Sequence, residues 1–277
     1  MKKLTAAAMA VMISIALGCN GESKDDKRSD YSVPGAVEPK PDGDKKAEVK
    51  KPTKPWDPAL GTATVKGQVK FNGKAPKRRP IDMAGKPECA ACQKDKTLDE
   101  SIIVNADGFM QNVFVYVRSG VEEYVFPVPK EAVFLDQNCC KFTPHVVGVR
   151  VGQPLKIRNS DGFSHNVRST PRSVKNRAFN FMQTTQGKED IVEFHALDVF
   201  VKLKCDLHGW MGANVGVVEN PYFAITDADG RFEIKNLPKG EFTIEARHEE
   251  LGSKTVNVKL ADKESKDISF EFEKSKE

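Results

Sequence analysis

The chain has 277 residues, 30% of them charged, and a formal net charge of +4. This length suffices for one or two compact domains with tails. The small net charge and the lack of a dense basic patch interleaved with aromatics exclude nucleic acid as an expected partner.

The N-terminal segment predicts export. Two lysines precede an apolar run over residues 4–17, which is too short to span a bilayer comfortably and is typical of a signal peptide. The run ends in IALGC, which resembles the lipobox of bacterial lipoproteins, whose cysteine becomes the acylated N-terminus. We therefore expect a signal peptide over residues 1–18 and a lipid on Cys19, with an ordinary signal peptide cleaved nearby as the alternative. In both cases the mature chain is expected in the periplasm or cell envelope, where disulfides form.

Residues 19–60 are predicted to form a disordered tether. Lys, Asp, Glu and Pro dominate this segment, and its apolar residues are too few to offset the chain entropy lost on folding. Proline and charge keep such a segment extended. If Cys19 is lipidated, the tether would hold the folded part away from a membrane.

From Gly61 onward the sequence predicts short β-strands. TATVKGQVKF alternates between apolar and polar residues, and MQNVFVYVRSG is rich in β-branched and aromatic residues. HVVGVRVGQPLKIRNSDG predicts two strands joined at Gly152, and VFVKLKC and ANVGVVE predict strands on either side of a short loop. The signal over residues 170–190 is weak and predicts a long connection. No amphipathic helix of useful length is predicted after residue 60, so the pattern indicates an all-β protein built from β-sandwiches.

The short loop CDLHGWM carries three soft side chains. Cys205, His208 and Met211 have the spacing C-x2-H-x2-M, and a thiolate, two histidines and a weak axial methionine form a blue-copper electron-transfer site. A second histidine is therefore needed. His165 is the best-placed candidate, because it follows a strand and a turn upstream of the cysteine. The other candidates, which we expect to be structural or exposed, are His145, His195 and His248.

These motifs resemble the cupredoxin family, of the plastocyanin and amicyanin type. That family has a G-x-x-[VL]-x-[FI]-x-N strand, an HNV segment that holds the first copper histidine, and a strand ending in a cysteine with a short ligand loop. The matching strand residues here are Gly152, Leu155, Ile157 and Asn159, and the HNV segment begins at His165. The loop has the amicyanin-like length. The resemblance covers residues 131–219 and implies a Greek-key β-sandwich.

The resemblance also implies one mononuclear type 1 copper ion. Its implied ligands are His165, Cys205, His208 and Met211. Asn166 is implied to steady the ligand loop and the cysteine sulfur, contacts that tune a bound metal. Trp210 departs from the family pattern, and it either covers the site or offers a contact surface. The alternative is a chance spacing in which the thiol and thioether are core and His208 is a surface residue.

The implied function is transfer of single electrons with a periplasmic or membrane-bound redox protein such as a cytochrome. We expect no enzyme, since the sequence has no Ser-His-Asp spacing, no phosphate-binding glycine loop and no H-E-x-x-H motif. One alternative is a module that holds copper for delivery or storage, or that binds a cell-envelope polymer. Another is an oxidase or reductase, which would need a further metal centre at the remaining cysteines.

Four cysteines remain after Cys19 and Cys205 are assigned. They are Cys89, Cys92, Cys139 and Cys140. An even number in an exported chain favours disulfides. Two bridges between the pairs would join the N-terminal strands to the copper domain, whereas a local Cys89–Cys92 bridge is the competing connectivity. A second metal site at the C-x2-C spacing, or a redox-active C-x-x-C, is a further alternative.

The C-terminal part, residues 220–277, resembles the carboxypeptidase-regulatory-like β-sandwich. The matching residues are Asp227, Gly230, Phe232, Leu237, Pro238, Gly240 and Ile244. Such domains are usually structural or adhesive. The strands within residues 61–130 resemble the opening strands of the same family. The sequence leaves two arrangements open: one regulatory-like sandwich interrupted by the copper domain, or two sandwiches in series. DISFEFE predicts a final edge strand.

Overall fold

A computed structural model describes residues 52–93 and 97–274. The predicted signal peptide, Cys19 and most of the predicted tether lie outside these residues. Within the described ranges nearly all regular structure is β, which confirms the predicted all-β fold class. No helix in this part of the chain is long and apolar enough to cross a membrane.

Within residues 52–93 and 97–274, twenty strands and two short helices follow one another. In order they are β1 (Lys54–Pro55), a 3-10 helix (Pro58–Leu60), β2 (Ala63–Phe71), α1 (Pro87–Ala91), β3 (Ile103–Val104), β4 (Met110–Gln111), β5 (Phe114–Ser119), β6 (Tyr124–Val125), β7 (Val133–Asn138), β8 (Lys141–Thr143), β9 (Val146–Arg150), β10 (Leu155–Asn159), β11 (His165–Thr170), β12 (Asn180–Gln183), β13 (Glu189–Val192), β14 (Asp198–Lys204), β15 (Gly212–Val218), β16 (Phe223–Ile225), β17 (Arg231–Leu237), β18 (Gly240–His248), β19 (Gly252–Leu260) and β20 (Ser265–Phe272).

The middle sandwich, residues 133–218, consists of two sheets with strand orders β13-β10-β7-β8 and β12-β11-β14-β15-β9. β7 pairs in parallel with β10 and β9 in parallel with β15, while the other pairs are antiparallel. Alternate residues of these strands point inward and bury an apolar core, because the side chains of a strand alternate between its two faces. Leu155, Ile157 and Leu203 are fully buried members of this core.

Two sequence expectations for the middle sandwich have different outcomes. The strands joined at Gly152 are confirmed as β9 and β10, and the positive φ of Gly152, 77°, suits the turn between them. The long connection predicted over residues 170–190 is wrong, since this segment contains β12 and the start of β13. Both are short edge strands in which half of the side chains are exposed, so they lack the buried apolar face by which strands are recognised.

The flanking sandwich, residues 63–119 and 223–272, has sheets of order β16-β5-β18-β19 and β17-β2-β20. β2 pairs with β17 and β20, and β5 pairs with β16 and β18. Strands from both ends of the described chain therefore share one core. Of the two arrangements that the sequence leaves open, this is the single sandwich interrupted by an inserted domain. The chain leaves after β5 and returns at β16, the strand paired with it, so the middle sandwich is inserted between two neighbouring strands. β20 lies at a sheet edge, as predicted.

The two sandwiches interlock through aromatic rings and glycines. Phe114 of β5 and Phe223 of β16 stack with ring centroids 5.4 Å apart. Their rings lie against Gly148 of β9 and Gly216 of β15, which are paired with each other. A Cβ atom at Gly148 would lie 2.2 Å from the Phe223 ring, and one at Gly216 would lie 2.5 Å from the Phe114 ring. The glycines thus create the space into which the flanking sandwich inserts.

The end of the predicted tether is ordered rather than disordered. β1 pairs with β6, and the Trp56 ring packs 5.2 Å from the rings of both Tyr124 and Phe126. The sequence expectation that the tether extends to residue 60 is therefore wrong over residues 53–60. A single tryptophan among prolines and charges gives no periodic signal, although it buries a large apolar surface.

A polar contact also joins the two sandwiches. His145, before β9, bonds through Nε2 to the carboxylate of Glu249, in the turn after β18. Both side chains are 12% exposed. Burial lowers the pKa of His145, but the bond to Glu249 and the charge of Glu100 outweigh burial, so the pKa lies above its usual value. Burial raises the pKa of Glu249, but His145 and Asn214 outweigh it and the pKa lies below its usual value.

We predict that this pair stabilises the protein in a limited pH range. The contribution of Glu249 is present above its unfolded pKa of about 4.3, and that of His145 is complete below its unfolded pKa of about 6.5 and is lost as pH rises through the raised folded value. Glu249→Gln should lower the free energy of unfolding by about 2 kcal/mol near pH 5.5 and by less near pH 9.

The measurement is the melting temperature of wild type and variant from pH 5 to pH 9. Glu250→Gln is the matched control, because Glu250 is half exposed and lies 4.0 Å from Lys202 in a surface ion pair. A Glu249→Gln effect that is the same at pH 5.5 and pH 9 would contradict the prediction.

Candidate metal centre

Three of the predicted ligands, His165, Cys205 and His208, meet at one end of the larger sheet of the middle sandwich. His165 is the first residue of β11, and Cys205 directly follows β14. β11 and β14 are antiparallel neighbours in which Arg168 pairs with Lys204, so the start of one strand lies beside the end of the other. The loop from Cys205 to Met211 then leads into β15. Forty residues of sequence separation are thereby closed into one site.

Three donor atoms form a small triangle. The Nδ1 atoms of His165 and His208 are 3.1 Å apart, and the Cys205 Sγ lies 3.8 Å from the first and 3.5 Å from the second. All three side chains are buried. A point in the plane of these atoms and equidistant from them lies about 2.0 Å from each, close to the bond lengths of protein nitrogen and sulfur to a divalent first-row ion. The donor set therefore fits a soft or borderline metal ion.

Asp161 fixes the orientation of His165. Its Oδ2 accepts a hydrogen bond from His165 Nε2 at 2.8 Å. An ionised carboxylate only accepts, so Nε2 carries a proton and Nδ1 is the ring nitrogen that faces Cys205 and His208. Burial raises the pKa of Asp161, but His165 and the backbone N–H groups of Cys140 and Cys139 outweigh it and hold the pKa below its usual value.

Sequence reasoning missed Asp161. It lies four residues before His165, in a turn where its backbone N–H donates to Asn159 Oδ1 at 2.9 Å. An acid at this distance from a candidate ligand is a signal, because metal-binding histidines usually donate their second N–H to a carboxylate or carbonyl. The signal was weak, since Asp in NSDG is equally typical of a turn.

The Cys205 sulfur is held in a polar environment that favours the thiolate. Burial raises the pKa of the thiol, but the hydrogen bond with His165 and the backbone N–H groups of Asn166, Leu207 and His208 outweigh burial, and the pKa lies below its usual value. The Asn166 N–H donates to Sγ at 3.5 Å. A thiolate is the form in which cysteine binds metals.

The side chain of Asn166 ties the ligand loop to the sheet. Its Oδ1 accepts a hydrogen bond from the backbone N–H of Asp206 at 2.5 Å. Its Nδ2 donates to Asn180 Oδ1 at 2.9 Å and to Asp206 Oδ2 at 3.2 Å. This residue, which the resemblance implies as a support for the loop and the sulfur, contacts both.

The ligand loop is closed by its own backbone. The Met211 N–H donates to the His208 carbonyl at 2.8 Å, and the Cys205 N–H donates to the Met211 carbonyl at 3.3 Å. Met211 is buried in the same apolar cluster as Cys205. The backbone therefore places Met211 at the base of the loop, next to Cys205.

Trp210 covers one side of the loop. Its Nε1 donates to the Cys140 carbonyl at 3.1 Å, and its ring centroid lies 5.6 Å from that of His208. Of the two roles left open by the sequence, these contacts favour the covering role. The ring also links the ligand loop to the turn between β7 and β8.

That turn carries the disulfide. Cys140 is bonded to Cys89 of α1, with Cα atoms 5.5 Å apart, whereas Cys92 and Cys139 have free thiols. The N-terminal segment is thus linked to the middle sandwich by one bridge rather than the two predicted, and the competing Cys89–Cys92 bridge is wrong. The Sγ atoms of Cys89 and Cys140 and a ring nitrogen of His208 lie within 4.8 Å of one another.

The remaining histidines lie apart from the site. Among the described residues, the Cys, His and acidic groups close enough to hold a metal include only His165 and His208 of the histidines. His145 bonds to Glu249, and His248 is buried and accepts hydrogen bonds from the backbone of Glu250 and Leu251.

Comparison with known proteins gives two groups of matches. Residues 207–277 match the family model of the CarboxypepD_reg-like domain, and no curated protein matches the sequence. The chain is similar to the copper-containing nitrite reductase NirK of Thermus scotoductus SA-01, with 18% identity and a TM-score of 0.30; the match covers 34% of this chain and only 24% of the reductase.

Two smaller proteins match over most of their own length. A methionine-to-alanine mutant of amicyanin in its Cu(I) form is 20% identical, with a TM-score of 0.29, and the match covers 32% of this chain and 85% of amicyanin. A purple cupredoxin from Nitrosopumilus maritimus is 21% identical, with a TM-score of 0.26, over 30% of this chain and 97% of that protein. The family model that matches is the one that the C-terminal motif predicts.

Proposed function

We propose that this chain is an exported type 1 copper protein that carries single electrons between redox partners of the cell envelope. The observation that carries the proposal is the buried triangle of His165 Nδ1, His208 Nδ1 and Cys205 Sγ, with separations of 3.1, 3.5 and 3.8 Å. Copper bound to two imidazoles, a thiolate and a weak thioether supplies one-electron transfer. The chain's own residues supply the position and rigidity of these donors.

Rigidity of the donors is what electron transfer requires of the protein. Asp161 holds the His165 ring, the Asn166 N–H points at the Cys205 sulfur, and two backbone hydrogen bonds close the ligand loop. The His165 ring, the Cys205 sulfur and the backbone of the ligand loop are therefore held by contacts that do not depend on the ion. A change in the charge of a bound ion would then require little movement of the protein, which would keep the barrier to gaining or losing an electron low.

Contact with a redox partner is proposed at the ligand end of the middle sandwich. Leu207, in the loop, is 41% exposed, and Met182, which pairs with Asn166 across β11 and β12, is 49% exposed. Exposed apolar side chains beside a buried centre suit transient contact with another protein, such as a cytochrome. The chain would then bind and orient the partner while the centre itself stays shielded from water.

A second candidate function is a copper-holding module without a role in electron transfer. The observation that favours it is the pair of free thiols, Cys92 and Cys139, on the loops that pack against the site, because thiols bind Cu(I) well. The two candidates differ in the stability of the Cu(II) form.

We predict that the protein loaded with Cu(II) has an intense thiolate-to-copper absorption band and undergoes reversible reduction. Cys205→Ser should abolish the band, and Met211→Ala should shift the reduction potential while the colour remains. Visible spectroscopy and voltammetry measure both quantities, and Met182→Ala, at an exposed methionine, is the matched control. Tight Cu(I) binding without a coloured Cu(II) form would favour the holding module, and loss of all copper in Met211→Ala would contradict the weak axial role.

We predict that Asp161→Asn lowers copper affinity by about 10- to 100-fold. The amide would no longer fix the tautomer of His165. It would also accept the backbone N–H groups of the turn without a negative charge. Competition with a chelator measures the affinity, and circular dichroism verifies that the variant is folded. Asp227→Asn is the control, because Asp227 also accepts backbone N–H groups, from Asp229 and Arg231, but has no histidine. Unchanged affinity in folded Asp161→Asn would exclude the positioning role.

The proposed location is the periplasm or cell envelope, with a lipid on Cys19 as anchor. We predict that the chain purified from bacterial membranes begins at an acylated Cys19, and that Cys19→Ala moves the protein to the soluble fraction. Mass spectrometry of the N-terminal peptide tests this directly. A native N-terminus without lipid, at any other residue, would show that the anchor is absent.

A further inference from the structure

Two free thiols lie beside the disulfide that packs against the metal site. Cys92 caps the C-terminal end of α1, three residues after Cys89, and residues three apart lie on one side of a helical turn. Cys139 directly precedes Cys140. The bond from Cys89 to Cys140 therefore brings the unbonded cysteine of each pair, Cys92 and Cys139, close to the other. Cys89 and Cys140 are fully buried, whereas Cys92 and Cys139 are partly exposed.

Direct contacts join the two free cysteines. The Cys139 thiol donates to the backbone carbonyl of Cys92 at 3.2 Å, and the side chain of Gln93 donates to the Cys139 carbonyl at 2.7 Å. Burial raises the pKa of the Cys92 thiol to about 12, with a hydrogen bond to the Cys139 thiol as the next cause. The two thiols therefore lie close enough to interact with each other.

We propose that Cys92 and Cys139 are a thiol–disulfide couple that closes into a second, outer disulfide alongside the Cys89–Cys140 bridge. The proposal concerns the four sulfur atoms alone and is independent of copper. The paired bridge would clamp α1 onto the turn between β7 and β8. The outer bridge would be the accessible one, and the inner bridge would be shielded by it.

The outer bridge would stabilise the turn at Cys139 and Cys140. Both residues have positive φ, 50° and 54°, a backbone conformation that is unfavourable for residues with a side chain. Asp161 accepts the two backbone N–H groups of the turn, at 2.7 and 2.9 Å, and the same carboxylate holds His165. A bridge at Cys139 would fix the half of the turn that the Cys89–Cys140 bond leaves without a covalent link.

The chemical step needs an external disulfide as oxidant, which exported proteins meet in an oxidising compartment. The Cys139 thiolate attacks one sulfur of that disulfide and expels a thiolate, which leaves a mixed disulfide on Cys139. The Cys92 thiol then loses its proton to solvent, attacks the Cys139 sulfur and expels the second thiolate. Two protein S–H groups become one S–S bond, two electrons pass to the oxidant, and the oxidant becomes two thiols.

The test uses the purified, metal-free full chain treated with excess oxidised glutathione, then denatured and alkylated. Among the five cysteines after Cys19, we expect alkylation to fall from three residues to Cys205 alone. The linked peptides that contain Cys89 and Cys140 should then carry no alkyl group on Cys92 or Cys139 and be two hydrogen atoms lighter than the same linked pair with both thiols free. The oxidised protein should also melt several degrees above the double variant C92S/C139S, measured without copper.

Single variants identify the partners. Cys92→Ser should leave Cys139 reactive or joined to glutathione, Cys139→Ser should do the same for Cys92, and Cys205→Ser should not affect bridge formation. Both thiols still alkylated after oxidation, glutathione retained on either residue of the wild type, or a Cys89–Cys92 link would each overturn the proposal. Because no metal is present, these results are independent of the copper spectrum that tests the proposed function.

Discussion

The carboxylate of Asp161 is the contact on which the arrangement of the site depends. It accepts hydrogen bonds from the His165 ring and from two backbone N–H groups in the turn that carries the disulfide. The single buried carboxylate of Asp161 therefore connects His165, a candidate metal ligand, to a turn in an unfavourable backbone conformation. The burial of the carboxylate is offset by these three donors, and loss of any donor would leave a buried charge with fewer partners. Trp210 adds a second link, from the ligand loop to the same turn.

The flanking sandwich contributes to the site through its contact with the strands that support it. β15 follows the ligand loop, and Gly216 in β15 lies under the Phe114 ring of the flanking sandwich. Glu249, also from the flanking sandwich, binds His145, whose carbonyl accepts the backbone N–H of Asn214 in β15. Because the inserted chain leaves and returns at the adjacent strands β5 and β16, both of its ends are fixed at this contact. The insertion thus joins two domains by two chain connections, a buried ion pair and an aromatic cluster.

The sequence predicted the fold class, and it named the candidate ligands, through patterns that act locally. Alternation marked the buried strands, and the C-x2-H-x2-M loop marked three donors. It left open whether β2 and β5 belong with β16 to β20, because strand pairing across an insertion depends on long-range packing. It missed β12 and β13, since exposed edge strands lack an apolar face, and it missed Asp161, whose role follows from the orientation of a ring. The four cysteines allowed several connectivities, and only the position of α1 against the β7–β8 turn distinguishes them.

Copper K-edge X-ray absorption of the loaded protein measures whether His165, Cys205 and His208 together hold one metal ion. We expect two nitrogen scatterers at about 2.0 Å and one sulfur scatterer at about 2.3 Å in the first shell. A first shell of sulfur alone, as at a cysteine cluster, or one of nitrogen and oxygen without sulfur would contradict it.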